Sequence, residues 1–301
     1  MCRFARDGGH LANLVGEAAA VCRAADTVRR RGPGCPETYQ QWQIAVLIII
    51  AVAHRCKSKS SQHRFLSQHA EQLQTLLGGV IGLKRLPSRA TYMRRYRGVY
   101  ELFRDAITAG GRRALQEHVA VSIGPRGVIV PLLASADRAN CNECRSCPHK
   151  IPLLPPSCRY LLADRGYDSN ALGEAVEYDS RGRRTGRRLV CPLQHRGGKP
   201  CVGQQRRKGT RERHRRHRAL RQRFFQSVRG RRLFPRRKKT VEPFNQWFKH
   251  LFDLEDHVWH YGLENNRTLL LAALFCHQLL LRYNYFCRHR DGQVNWILDG
   301  L

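Results

Sequence analysis

Between residues 181 and 239 the chain carries 24 of its 54 Lys and Arg and a single acid, Glu212. No other feature limits the fold as strongly. A run of like charge this dense cannot bury a core of its own. It tracks a phosphate backbone, or it stays disordered until it meets one, and a solvated surface arm without a partner is the plainer alternative. The whole chain of 301 residues has a formal net charge of +31 and an isoelectric point near 10.7. An excess of that size implies a polyanionic partner, nucleic acid before any other. An anionic membrane surface fits less well, because no Lys/Arg-rich amphipathic helix with an aromatic face stands out.

The core must come from the remaining residues, and a hydrophobic content of 42% is adequate for one. "IAVLIIIAVA" (Ile44 to Ala53) is ten apolar residues, about half of what a bilayer span needs, and reads as a buried core helix. No apolar stretch followed by a small-residue cleavage site opens the chain, which predicts a cytoplasmic protein with no membrane association. Its twelve Cys are then reduced thiols rather than a disulfide framework. Residues 1–36 show no sustained period and read as a loosely ordered segment. Residues 37–112 read as helical, with "RFLSQHAEQLQTLL" (Arg64 to Leu77) stopped by Gly78-Gly79. A further helix begins after Pro87 with Ser88 as its N-cap. That helix carries Arg89, Arg94, Arg95 and Arg97, and the outline is that of a loosely spaced helix-turn-helix in which Arg94 and Arg95 would reach DNA. An ordinary core helix with a basic solvent face fits the same residues.

After Gly110-Gly111 the pattern changes. "GVIVPLLAS" (Gly127 to Ser135), "RYLLAD" (Arg159 to Asp164) and "RRLVCPL" (Arg187 to Leu193) are short, apolar and bounded by Gly, Pro or charge, which predicts buried strands. "HVAVS" looks like the beginning of one more. "DSNALGEAVEY" predicts a helix between the last two strands, so residues 159–193 form a strand–helix–strand unit of an α/β fold. Two helices close the region that runs from 113 to 290, and 291–301 reads as a tail.

The chemistry concentrates at two acids. Asp164 ends a strand. Glu242 opens "VEPFNQWFKHLF", where Glu242, Asn245, Gln246 and Lys249 share one helix face and Phe244, Trp247, Phe248 and Leu251 another. Spacing alone fits a plain amphipathic helix equally well. A strand-end Asp and a helix Glu can also hold Mg²⁺ through hard oxygens, and two such ions drive phosphoryl transfer by activating a nucleophile and stabilising the leaving oxygen.

"LLADRGYDSNAL", "RRKKTVEPFNQWFKHLF" and "NNRTLLLAALFCHQLLLRYNY" together resemble the DDE transposases of bacterial insertion sequences, and "LPSRATYMRRYR" and "VIVPLLASAD" are similar to segments of the same proteins. The resemblance covers roughly residues 38 to 287. It implies a ribonuclease H-like catalytic core with helical N-terminal and C-terminal regions, Mg²⁺-dependent DNA cleavage and strand transfer, insertion-sequence ends and target DNA as partners, and a homodimer as one assembly. It places the second catalytic Asp at Asp164 and the Glu at Glu242. In the family's Tyr-x2-Arg-x3-Glu-x6-Lys signature, Lys249 falls on the Lys and would contact substrate phosphate. Lys238 stands at the Arg position, losing the bidentate fork, and Pro235 at the Tyr position. Arg236 and Arg237 add to the DNA-contacting charge.

The family's first Asp has no counterpart. "ALQEHVAVSIGPRGVIVPLLASAD" holds no acid where the first strand ends, and about three strands are readable instead of five. An internal deletion near Ser122–Arg126 is the expectation, leaving a catalytically defective copy. The rival is a non-enzymatic basic nucleic-acid-binding protein with a Zn²⁺ site at Cys141, Cys144, Cys147 and Cys158, since Cys-x2-Cys spacing suits tetrahedral zinc. His214 and His217 read as additions to the basic face.

Overall fold

A helix that is apolar on every side has no face to offer to water. α2 (Gln41–Ala53) is such a helix, and every residue from Trp42 to Ala53 is buried. The computed structural model describes residues 8–27, 39–110, 117–123, 129–134, 147–193, 208–254, 260, 262–287 and 292–300. Contacts divide the chain into two compact units, Met1–Arg138 with Phe244–Leu301, and Ala139–Pro243. The division crosses the boundaries expected from sequence, because the C-terminal helices pack with the N-terminal ones.

In the first unit α1 (Gly8–Thr27), α6 (Val99–Gly110) and α11 (Leu263–Phe286) pack around α2. α3 (Lys59–Gln68), α4 (Ala70–Ile81) and α5 (Arg89–Tyr96) complete the N-terminal helices. Of the segment 1–36 expected to be loosely ordered, the described residues 8–27 form α1 instead, whose Leu11, Leu14, Val15, Ala18, Ala19, Cys22 and Ala25 are all buried. That stripe has helical spacing but is half alanine and cysteine, so its hydrophobic signal is faint. At the α1–α2 junction the Trp42 amide donates to Asp26 Oδ2 at 3.4 Å, which places a carboxylate at a helix N-terminus as the dipole favours. The expected tail at 291–301 is likewise corrected: α12 (Asn295–Gly300) closes the chain, with Val294, Ile297 and Leu298 in the core.

Two helices expected from sequence are broken. The one expected over 64–77 divides at His69, which ends α3 and begins α4. The one beginning after Ser88 ends at Tyr96, and α6 starts at Val99. Ser88 does cap α5, its hydroxyl accepting from the Thr91 amide at 3.3 Å.

β1 (Glu117–Ile123) and β2 (Ile129–Ala134) pair antiparallel, with Ser122 opposite Val130 and Ile123 opposite Ile129. The second unit holds β3 (Tyr160–Leu162), α7 (Asn170–Glu177) and β4 (Arg188–Val190). β3 and β4 are parallel, with Leu161 opposite Leu189. This is the strand–helix–strand unit expected at 159–193, so the α/β description holds in that coarse sense within a mostly helical chain. The described residues contain no sheet of more than two strands, and a ribonuclease H-like sheet is not among them. The proposed deletion point falls partly on residues 124–128, outside the described residues. α8 (Lys208–Gln226) and α9 (Val228–Leu233) follow, and α10 (Val241–Leu251) leads back to the first unit. No helix among the described residues is long and apolar enough to cross a membrane.

Candidate nucleic-acid interface

The second unit is organised by how it disposes of its charge. β3 delivers the chain to Asp164, whose Oδ1 accepts the Gly166 amide at 2.8 Å and starts a single 3₁₀ turn, Arg165–Tyr167. The Asp164 carbonyl accepts from Cys191 Sγ at 2.8 Å, tying the end of β3 to the residue after β4. Asp164 itself is exposed. Ser169 then caps α7, accepting from the Leu172 amide at 3.0 Å.

Here the basic block acquires a fold. His214, His217, Arg218 and Arg221 lie at i, i+3, i+4 and i+7 of α8 and face α7 rather than water. Arg218 pairs with the buried Asp168 at 2.8 Å. Arg221, itself buried, donates to the Ser169 carbonyl at 3.0 Å and to Asn170 Oδ1 at 3.1 Å. Glu174 of α7 meets Arg213 at 3.4 Å and His214 at 3.3 Å. His217 stacks on Tyr178, ring centroids 4.9 Å apart, with the Tyr178 hydroxyl 3.3 Å from its Nε2. The reading of His214 and His217 as additions to an outer basic face is therefore corrected. They and Arg213 line, with Glu174 and Tyr178, the edge of the inward contact. Burial pushes the Glu177 carboxyl up, against the opposing pull of Arg221 and Arg188. The sequence reading missed Asp168, Glu174, Arg218 and Arg221 as partners. The signal for them was a 3.6-residue period within the basic block, carried by polar instead of apolar residues.

The outward face is different. Arg223, Arg229, Arg231, Arg232, Arg236, Lys238 and Lys239 are exposed. Among the described residues none of them forms an ion pair with a carboxylate. Arg237 is the exception in that stretch, donating to Glu242 Oε1 at 3.1 Å. Glu242 lies in the first turn of α10 and is exposed, as are Asn245, Gln246 and Lys249, while Phe244, Phe248 and Leu251 are buried. The amphipathic face read from sequence is therefore present.

In the first unit Arg94 is exposed and Arg95 half-buried on α5. They line a hollow of about 420 Å³ with Tyr39, Arg85, Ser88 and Thr91. Tyr92 and Tyr96 of the same helix are fully buried, so Arg94 occupies its outer side and Arg95 its flank. Of the four proposed zinc ligands, Cys141 and Cys144 lie outside the described residues, Cys147 is buried and Cys158 half-buried. Among the described residues no three His, Cys, Asp or Glu side chains gather as a metal-holding group. Comparison of the chain with known protein families, curated proteins and solved structures finds no match.

Proposed function

We propose that the chain is a DNA-binding protein descended from insertion-sequence DDE transposases, which holds DNA through the second unit and cuts it slowly or not at all. The observation that carries this reading is the division of the basic block into two faces. Its inward cations neutralise the unit's own acids. Its outward cations, Arg231, Arg232, Arg236, Lys238 and Lys239 among them, are exposed and lack carboxylate partners among the described residues. Only unpaired cations can exchange with the counterions of a phosphate backbone, which is the source of affinity in such complexes. The DDE resemblance supplies the choice of DNA as the polyanion.

Asp164 and Glu242 are the residues that would hold Mg²⁺, which when bound would activate water or a 3′-hydroxyl for attack on phosphorus. Their oxygens are of the right hardness. Glu242, however, already accepts from Arg237, and two carboxylates without a third do not complete the ligand set of a two-metal centre. The proposed activity therefore stops at binding. Arg236 and Lys238 position phosphate, Arg237 joins them where DNA displaces Glu242 from it, and Lys249 and Arg94 with Arg95 are further contact points on their own helices.

One preparation of the chain tests both halves, mixed with end-labelled duplex DNA with and without Mg²⁺. Affinity is expected to fall about a thousandfold or more between 50 and 200 mM salt, as for a protein making six or more phosphate contacts, and no cleavage product is expected to accumulate. Absent or salt-insensitive binding overturns the DNA reading. Efficient Mg²⁺-dependent strand transfer overturns the loss of catalysis.

A further inference from the structure

Four side chains of the second unit form a stacked column that the inward ion pairs do not require. Tyr160 and Arg188 are register partners at the start of β3 and β4, so their side chains leave the sheet on the same face. α8 brings Phe224 against Tyr160, the rings nearly parallel at 6° with centroids 6.0 Å apart. At that separation parallel rings are displaced sideways, and their overlap is partial. The Arg188 guanidinium sits over the Phe224 ring at 4.8 Å and the Arg229 guanidinium over the Tyr160 ring at 5.3 Å. Both arginines are exposed, and both rings are only half-buried.

We infer that this column is a stacking platform for the bases of single-stranded DNA. The inference rests on the DNA reading above and narrows it to the form of DNA recognised. A column that only pins α8 to the sheet has no need of exposed cations at its ends. What this one offers to solvent is its two exposed guanidinium planes, each carried over a half-buried ring. Such planes are what unstacked bases bind, because every base has a π-face and arginine adds a cation–π term. The phosphates that accompany the bases have their own partners close by in sequence: Arg159, Arg223, Arg231 and Arg232 are all exposed. Duplex DNA keeps its base faces inside its own stack and can use only those outer cations. The platform therefore favours a strand whose bases are free.

The test compares an oligothymidylate with a duplex of equal length, using the full chain and two variants. Tyr160→Leu with Phe224→Leu keeps apolar volume but removes the planes. Arg229→Gln changes an exposed side chain that leaves the fold intact. Loss of the two planes is expected to weaken single-strand binding about tenfold or more and duplex binding about twofold at most. Arg229→Gln is expected to weaken the single strand more than the duplex. A strand carrying 2-aminopurine should be quenched on binding the unaltered chain, since stacking quenches that base, and much less on binding the double variant. Equal losses for both DNA forms, or no quenching by the unaltered chain, overturn the platform while leaving duplex binding in place. If the unaltered chain binds neither form, the DNA reading fails and the platform with it. Thermal melting of each variant separates a binding loss from unfolding, and should the double variant unfold, Arg229→Gln with the quenching measurement still decides.

Discussion

His277 is buried in the middle of α11, and neither ring nitrogen finds a hydrogen-bond partner among the described residues. The rings of Trp247, Phe244 and Phe248 surround it at 4.8, 5.7 and 6.2 Å. Burial pulls its pKa down to about 3. His54 and His260 are each pulled down to about 4, chiefly by burial. With folded values below the unfolded one, the unfolded chain binds more protons in acid. The stability held at neutral pH is lost as pH falls from about 6.5 through these values. The thermal midpoint should therefore drop steeply between about pH 7 and pH 4. His277→Leu should flatten that drop, because leucine occupies the site without a proton to gain. The high net charge also destabilises the chain in acid, but equally in both proteins, so the difference between them isolates the imidazole. Parallel curves for the two would contradict the assignment. In the sequence His277 sits on the apolar stripe of a long helix, and nothing in its spacing distinguishes a buried imidazole from one at the surface.

Helix α8 illustrates what a sequence pattern can hide at the scale of an element. Strand β3, helix α7 and strand β4 were legible, because their apolar runs are short and bounded by charge. The buried α2 was legible as a continuous apolar run, and α10 from the amphipathic spacing of its residues. α8 was not, because its inward face is arginine and histidine, and hydrophobic period cannot reveal a face that is buried through ion pairs. The α5–α6 break was also hidden. Gly98 lies against the end of the Gln41 side chain, which a Cβ there would push aside, and that contact is invisible without the neighbour. The seat of α8 on α7 depends on Gly173 in the same way. A Cβ there would collide with the Arg221 guanidinium, which donates to Ser169 and Asn170. Alanine would raise intrinsic helix preference by about 1 kcal/mol. Overpacking typically costs about 1–3 kcal/mol, and the displaced guanidinium adds the loss of its hydrogen bonds. Gly173→Ala should therefore lower the urea midpoint of the unit, followed by far-UV circular dichroism. A raised midpoint would show that Arg221 does not hold the position described.

For the molecule as a whole, composition pointed to a polyanion but not to how the charge is arranged. The sequence boundaries grouped residues 113–290, whereas contacts join Phe244–Leu301 to the N-terminal helices and set Ala139–Pro243 apart. That regrouping depends on packing between elements more than a hundred positions apart, which periodicity does not encode. The position of Glu242 at a helix start was legible, and Asp164 falls two residues beyond the end of β3, at the cap of a 3₁₀ turn. The Arg237 contact that occupies Glu242 was not legible, since it depends on the turn preceding α10.

The central claim is that the outward cations of the second unit, and not the total charge, bind DNA. It is tested most directly by the salt dependence of duplex affinity. The unaltered chain is to be compared with a variant carrying Arg231→Gln, Arg232→Gln, Lys238→Gln and Lys239→Gln. Each phosphate contact contributes about 0.9 to the slope of log affinity against log salt. The account predicts a slope shallower by about three to four in the variant, with the melting temperature unchanged. An equal slope in the two proteins would contradict it.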